Sequence, residues 1–77
     1  MKLSALLKIV QVQGPVVISV WHDDAEIILF ETDDFEAHRH EIHKEVLNME
    51  LQYIFPFQAY SGSGAALKIE LKPKEED

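Results

Sequence analysis

The first eleven residues carry the apolar spacing of an amphipathic helix. Leucine and valine follow the i, i+3, i+4, i+7 pattern that lines one face of an α-helix, at Leu3, Leu6, Leu7 and Val10. The β-branched alternation over residues 9–12 is the competing pattern and would favour a strand. We predict a helix over residues 2–11, followed by a turn at Gly14-Pro15.

Two β-branched runs around a pair of aspartates predict a hairpin. The runs span residues 16–21 and 26–31, and Asp23-Asp24 between them tolerate the positive φ of a two-residue turn. In that register one face holds three pairs: Val20 with Ile27, Ile18 with Leu29, and Val16 with Glu31. Because side chains alternate between faces, the opposite face carries an apolar cluster. Its members are Val17, Trp21, Ile28 and Phe30.

A second helix is predicted over residues 33–48. Asp33 is its expected N-cap, and Glu36 three positions later matches the logic of a capping box. The apolar stripe of this helix comprises Phe35, Ile42, Val46 and Met49. His38 and Arg39 fill the middle of the stripe, where an apolar residue is expected.

Two more strands are predicted in the last third of the chain. Apolar residues alternate over residues 51–57, and Pro56 requires that this strand ends there or lies at a sheet edge. Ser61-Gly62-Ser63-Gly64 is typical of a hairpin loop. Beyond it, apolar and charged residues alternate over residues 67–72, which indicates a half-buried strand.

The predicted order is therefore α-β-β-α-β-β, an α+β class. Residues 1–72 are expected to form one domain, and residues 73–77 a charged flexible tail. The economical packing has two layers: a mainly antiparallel four-stranded sheet with the helices on one face. The order of the strands in the sheet does not follow from the pattern.

Composition excludes several classes of function. The 77 residues have a net charge of −7, a hydrophobic fraction of 47% and no Cys. This fraction is too high for intrinsic disorder, and a chain without Cys has neither a disulfide scaffold nor thiolate chemistry. Excess negative charge argues against direct binding to nucleic acid. The charge-free stretches 9–21 and 51–67 contain polar residues, so we predict no membrane span and a cytoplasmic protein.

The layout resembles a known group of proteins. Its elements are an N-terminal Lys-Leu-x-x-Leu-Leu helix, a strand–turn–strand, a helix, Leu51-Gln52-Tyr53-Ile54-Phe55-Pro56 and a last acidic-apolar strand. The chain is similar in this to the uncharacterised small proteins that phages and prophages of Gram-positive bacteria encode. The resemblance implies a cytoplasmic protein with no assigned activity, and it carries over no functional residues.

The histidines are a possible metal site. On a continuous helix Glu36, His40 and His43 converge, and two imidazoles with one carboxylate can bind zinc. A solvated helix face without metal is the alternative. The segment His40-Glu41-Ile42-His43 is one residue short of the His-Glu-x-x-His zincin motif. No other arrangement of catalytic residue types is arguable, so we expect neither an enzyme nor a cofactor.

The middle of the chain is strongly acidic. Residues 22–50 hold ten acidic residues against Arg39 and Lys44, a charge of −8. An acidic surface of Asp33, Asp34, Glu36 and Glu41 is one candidate site. It would imitate nucleic acid and inhibit a partner protein by occupying its basic groove. The alternative is that these acids keep the domain soluble and cap its helix.

The predicted apolar cluster is the stronger functional lead. An exposed apolar patch with aromatic side chains normally marks a protein contact. The alternative is that the assignment of the two faces is inverted, or that the third strand and the tail cover the cluster. A core of this size supplies only about 3–5 kcal/mol, which favours added stability from a homo-oligomer. We therefore predict a non-enzymatic interaction module that binds itself or another protein through Val17, Trp21, Ile28 and Phe30.

Overall fold

A computed structural model of the chain describes residues 1–58 and 65–73. Three short α-helices and a 3-10 helix accompany four strands. Their bounds are α1 Leu3–Ile9, β1 Val16–His22, β2 Ala25–Thr32, α2 Phe35–His38, the 3-10 helix Arg39–Glu41, α3 Lys44–Leu47, β3 Leu51–Gln58 and β4 Ala65–Leu71. The α+β class is thereby confirmed. The predicted loop 61–64 and all but the first residue of the predicted tail 73–77 lie outside the described residues.

The four strands form one sheet in the order β2-β1-β4-β3. β1 pairs with β2, and β3 with β4, in antiparallel fashion, but the central pair β1–β4 is parallel. The sheet is therefore mixed, which corrects the prediction of a mainly antiparallel one. Strand direction depends on where the chain re-enters the sheet. β3 forms the edge of the sheet far from β2 and runs antiparallel to β4. β4, which lies between β3 and β1, therefore runs parallel to β1.

The β1–β2 hairpin has the predicted turn. Asp23 and Asp24 adopt φ values of 50° and 66°, the left-handed conformation that a type I′ turn needs at both positions. The predicted pairing is confirmed near the turn, where Val20 lies opposite Ile27. Farther along, the register shifts between Ile18 and Ser19, because Leu29 is an extra residue on β2 and makes a β-bulge.

The bulge moves Phe30 to the core side of the sheet. Ile18 pairs with Phe30 instead of the predicted Leu29. Phe30 packs against the core, and its ring lies 6.4 Å from that of Phe35 in an edge-to-face arrangement. The prediction that Phe30 joins the opposite face is therefore wrong, since a shift of one residue reverses which face a side chain occupies.

The predicted helix over residues 33–48 is broken into three pieces. Ile42 is extended, with φ −66° and ψ 127°, and its side chain is buried. His43 then starts α3, where its Nδ1 accepts a hydrogen bond from the Glu45 backbone N–H at 3.2 Å. The middle turn holds His38 and Arg39 and has no apolar side chain to bury. Breaking the helix there brings Ile42 into the core.

One buried cluster joins the helices to one face of the sheet. Its residues are Leu3, Leu7, Val12, Val16, Ile18, Phe35, Ile42, Ile69 and Leu71. The helical residues among them all pack against alternate residues of β1 and β4, so the helical layer covers a single face. No helix in the described part of the chain has the length and apolar character needed to cross a membrane.

Candidate functional site

The sheet face opposite the core, here called the outer face, contains residues from all four strands. They are Glu26, Ile28 and Glu31 of β2, Val17, Ser19 and Trp21 of β1, Ala66, Lys68 and Glu70 of β4, and Tyr53, Phe55 and Phe57 of β3. The strand pairing places Val17 beside Lys68, and Lys68 beside Phe55. None of these residues belongs to the core cluster.

Four large apolar side chains of the outer face are exposed to solvent. The exposed fractions are 46% for Trp21, 43% for Ile28, 59% for Tyr53 and 39% for Phe55. Trp21 and Ile28 lie on this face as the sequence predicts. Val17 also lies there but is buried. Tyr53 and Phe55 were missed, because the alternation along β3 does not reveal which of its faces lies away from the core.

A buried polar network lies between these apolar groups. The Ser19 hydroxyl donates a hydrogen bond to Glu26 Oε2 at 3.0 Å, and the Lys68 ammonium makes an ion pair with the same oxygen. Lys68 Nζ also lies 5.1 Å from the centre of the Phe57 ring. The side chain of Lys68 is 7% exposed and that of Glu26 20%. The pair joins β4 to β2, two strands that lie on either side of β1.

The predicted acidic surface lies outside this face, and three of its four residues have intramolecular hydrogen bonds. Asp34, not Asp33, caps α2, since its carboxylate accepts from the Ala37 N–H at 3.3 Å. Glu36 accepts a hydrogen bond from the Gln11 amide at 2.7 Å. Glu41 lies 2.7 Å from His38 Nδ1. Of these three contacts, only the one made by Asp34 caps a helix, while Glu36 and Glu41 bind the side chains of Gln11 and His38.

The predicted metal site does not form. Among residues 1–58 and 65–73, no three His, Asp or Glu side chains are placed to hold a metal ion. Glu36, His40 and His43 would converge only on a continuous helix, and the chain breaks between them. His43 instead caps α3 and Glu36 binds Gln11.

His38 and Glu41 form a surface pair in which each residue shifts the pKa of the other. The hydrogen bond that the His38 ring donates to the Glu41 carboxylate raises the pKa of His38, with smaller contributions from the charges of Glu41 and Asp34. The same hydrogen bond lowers the pKa of Glu41. Both side chains are about half exposed.

We expect this pair to stabilise the fold only in mildly acidic solution. The raised pKa of His38 gives stability below the ordinary histidine value of about 6.5, lost as pH rises through the folded pKa. The lowered pKa of Glu41 gives stability above about 4.3, lost as pH falls through its folded pKa. In an NMR titration, Glu41→Gln should lower the pKa of His38, whereas Glu45→Gln should not. Identical His38 titration curves in the native chain and in both variants would contradict the pairing of His38 with Glu41.

A groove of about 660 Å³ lies between α3 and the start of β3. It is lined by Glu45, Asn48, Met49, Glu50, Gln52, Lys72 and Pro73. The Met1 amino group donates a hydrogen bond to Glu50 at 2.9 Å and lowers the pKa of that carboxyl. In the described residues, no buried polar side-chain atom lacks a hydrogen-bond partner. The groove therefore contains no unsatisfied buried group that would select a ligand.

Comparison with family models, curated proteins and solved structures finds no significant match to this chain. The resemblance to small phage-encoded proteins stays a prediction, since none of the three comparisons bears on it.

Proposed function

We propose that this chain is a small, non-enzymatic protein-interaction domain that self-associates through its outer face. The observation that supports it is the exposure of Trp21, Ile28, Tyr53 and Phe55 on the sheet face opposite the core. Large aromatic side chains are the usual anchors of protein interfaces, because they bury much area at low entropic cost. A small domain gains stability when a second copy covers such a patch.

The distribution of charge supports a second copy as the partner. Asp33, Asp34, Glu36 and Glu41 follow β2 in the turn and helical layer, so they do not line the outer face. The outer face itself carries three carboxylates, Glu26, Glu31 and Glu70, and the first of them is paired with the Lys68 ammonium. Two copies of a chain with net charge −7 can therefore meet here without bringing their acidic helical segments together.

Substitution of adjacent residues on β3 tests this proposal. We expect light scattering across a dilution series to show a dimer, and Tyr53→Lys to weaken its association at least about tenfold by placing a charge in the interface. Ile54→Lys is the matched control, because Ile54 is 44% exposed but lies on the other face of the same strand. A chain that is monomeric at every concentration, or equal effects of both variants, would refute self-association through this face.

Inhibition by imitation of nucleic acid is the weaker candidate. Asp34, Glu36 and Glu41 already form intramolecular hydrogen bonds, with Ala37, Gln11 and His38 respectively. For the compartment we retain the cytoplasm as a proposal, since a chain without Cys needs no oxidising environment.

A further inference from the structure

The outer edge of β2 is a second open surface, which borders the outer face and shares Glu26 and Ile28 with it. β2 is a terminal strand of the sheet, and Ile27 and Ile28, which point to opposite faces, are 46% and 43% exposed. In a two-residue hairpin the closing pair, here His22 and Ala25, exchanges both ladder hydrogen bonds. The antiparallel alternation then directs the backbone N–H and C=O of Glu26 and Ile28 outward. Backbone donors, acceptors and apolar side chains thus meet at one edge.

The opposite edge of the sheet is better protected. β3 contains Pro56, which has no N–H to offer a further strand. The start of β3 is already paired: the Leu51 N–H donates to the Met1 carbonyl at 2.8 Å, and Lys2 forms an antiparallel bridge with Glu50. β2 contains neither proline nor lysine, two residue types that blunt a sheet edge, and its β-bulge at Leu29 lies beyond Glu26 and Ile28, where the pairing with β1 is regular. Strand addition is therefore easier at β2.

The charges around β2 determine what can be added there. Asp23 and Asp24 precede the strand, and Asp33 and Asp34 follow it. Residues 22–38 contain seven acidic residues and neither lysine nor arginine. In an antiparallel pairing with a second copy, the aspartates at one end of β2 would face those at the other end of its partner. Such like-charge contacts are unfavourable, so another copy of this chain is a poor occupant.

We propose that the β2 edge binds an extended segment of another protein as an additional strand. The segment carries lysine or arginine at both ends and β-branched or aromatic residues between them. Backbone hydrogen bonds along Glu26 and Ile28 provide affinity, and the apolar side chains of the segment cover Ile27 and Ile28. Its basic ends contact the two pairs of aspartates, whichever direction the segment runs. This binding goes beyond self-association, because it uses the backbone edge of β2 and only the side chain of Ile28 is common to both contacts.

Synthetic peptides of about ten residues test the proposal. The probe has two basic residues at each end and a Val-Ile-Thr-Val centre, and a second peptide carries glutamates at the ends. Trp21, the single tryptophan, lies opposite Glu26 in the neighbouring strand and reports binding by fluorescence. We expect saturable binding of the basic peptide only. Its affinity should fall about tenfold between about 0.05 M and about 0.5 M salt.

Backbone methylation distinguishes strand addition from simple charge attraction. Only one of the two alternate sets of peptide N–H groups faces β2. Methylating that set should abolish binding, and methylating the other set should leave it nearly unchanged. If neither or both of these peptides lose affinity, the peptide does not bind as a strand and the proposal is wrong.

A pair of charge-reversal variants locates the site. Glu31→Lys places a lysine on the β2 edge and should weaken peptide binding at least about tenfold. Glu45→Lys changes the net charge equally but lies on α3, so we expect less than about a twofold effect. Equal effects, or no binding of the basic peptide at millimolar concentration, would overturn the proposal. The Tyr53→Lys variant should bind the peptide with the affinity of the native chain even when its self-association is weakened. The two proposals can therefore fail independently.

Discussion

Lys68→Ala should lower the free energy of unfolding by about 3 kcal/mol. The substitution removes the ammonium that lies against Glu26 Oε2 and above the Phe57 ring. Glu26, whose side chain is only 20% exposed, then has to keep its charge in a poorly solvated position or become protonated. A domain of this size has about 5 kcal/mol of total stability, so the loss is a large part of it. Urea denaturation monitored by circular dichroism measures the loss.

A double variant separates the ion pair from packing. Replacing a buried pair with apolar residues of similar volume is often neutral, so Lys68→Met with Glu26→Leu should recover most of the stability that Lys68→Ala loses. Lys68→Met alone keeps the length of the side chain but still removes the charge, and it should remain clearly destabilised. A loss below about 1 kcal/mol for Lys68→Ala would show that water solvates the pair in solution.

Phe35→Ala should destabilise the fold by about 3–5 kcal/mol, enough to leave a large unfolded fraction at 25 °C. Phe35 is fully buried, with its ring 6.4 Å from Phe30 and 5.8 Å from the Arg39 guanidinium carbon. It also begins α2, and its backbone N–H donates to the Gly14 carbonyl at 2.9 Å. Removing the ring leaves a cavity where the helical layer meets the sheet. The same urea titration measures this loss.

Phe55→Ala is the matched control, since it removes the same ring from the outer face. Phe55 is 39% exposed, so its truncation in the monomer should cost only about 1 kcal/mol. Similar losses for Phe35→Ala and Phe55→Ala would contradict the assignment of the two sheet faces. Measuring both variants at low protein concentration keeps self-association from adding to the effect of Phe55→Ala.

Local features of the chain were predictable from sequence. The helix predicted over residues 2–11 is confirmed as Leu3–Ile9. It was predictable because its apolar spacing involves only residues within two helical turns of one another. The hairpin turn at Asp23 and Asp24 is confirmed because aspartate tolerates positive φ. Trp21 and Ile28 were placed on the outer face from the same hairpin, since both lie between its turn and the bulge.

The errors arise where a residue depends on distant parts of the chain. The extra residue Leu29 lets Phe30 reach Phe35, a contact that local alternation does not encode. The predicted helix breaks near Ile42, because Ile42 packs in the core whereas His38 and Arg39, in the middle of the predicted helix, offer the core no apolar side chain. In both places, the free energy gained by burying the side chain, Phe30 or Ile42, outweighs the free energy lost by interrupting the regular strand or helix.

The positions of the strands, the first helix and the hairpin turn, and two of the four exposed apolar side chains of the outer face, follow from periodicity and backbone preference over a few neighbouring residues. The tertiary structure alone decided that β4 lies between β1 and β3. That strand order brings Lys68 to Glu26 and Ser19, and it puts Tyr53 and Phe55 on the same face as Trp21. Strand order results from long-range burial and chain crossing, which no short window of sequence contains.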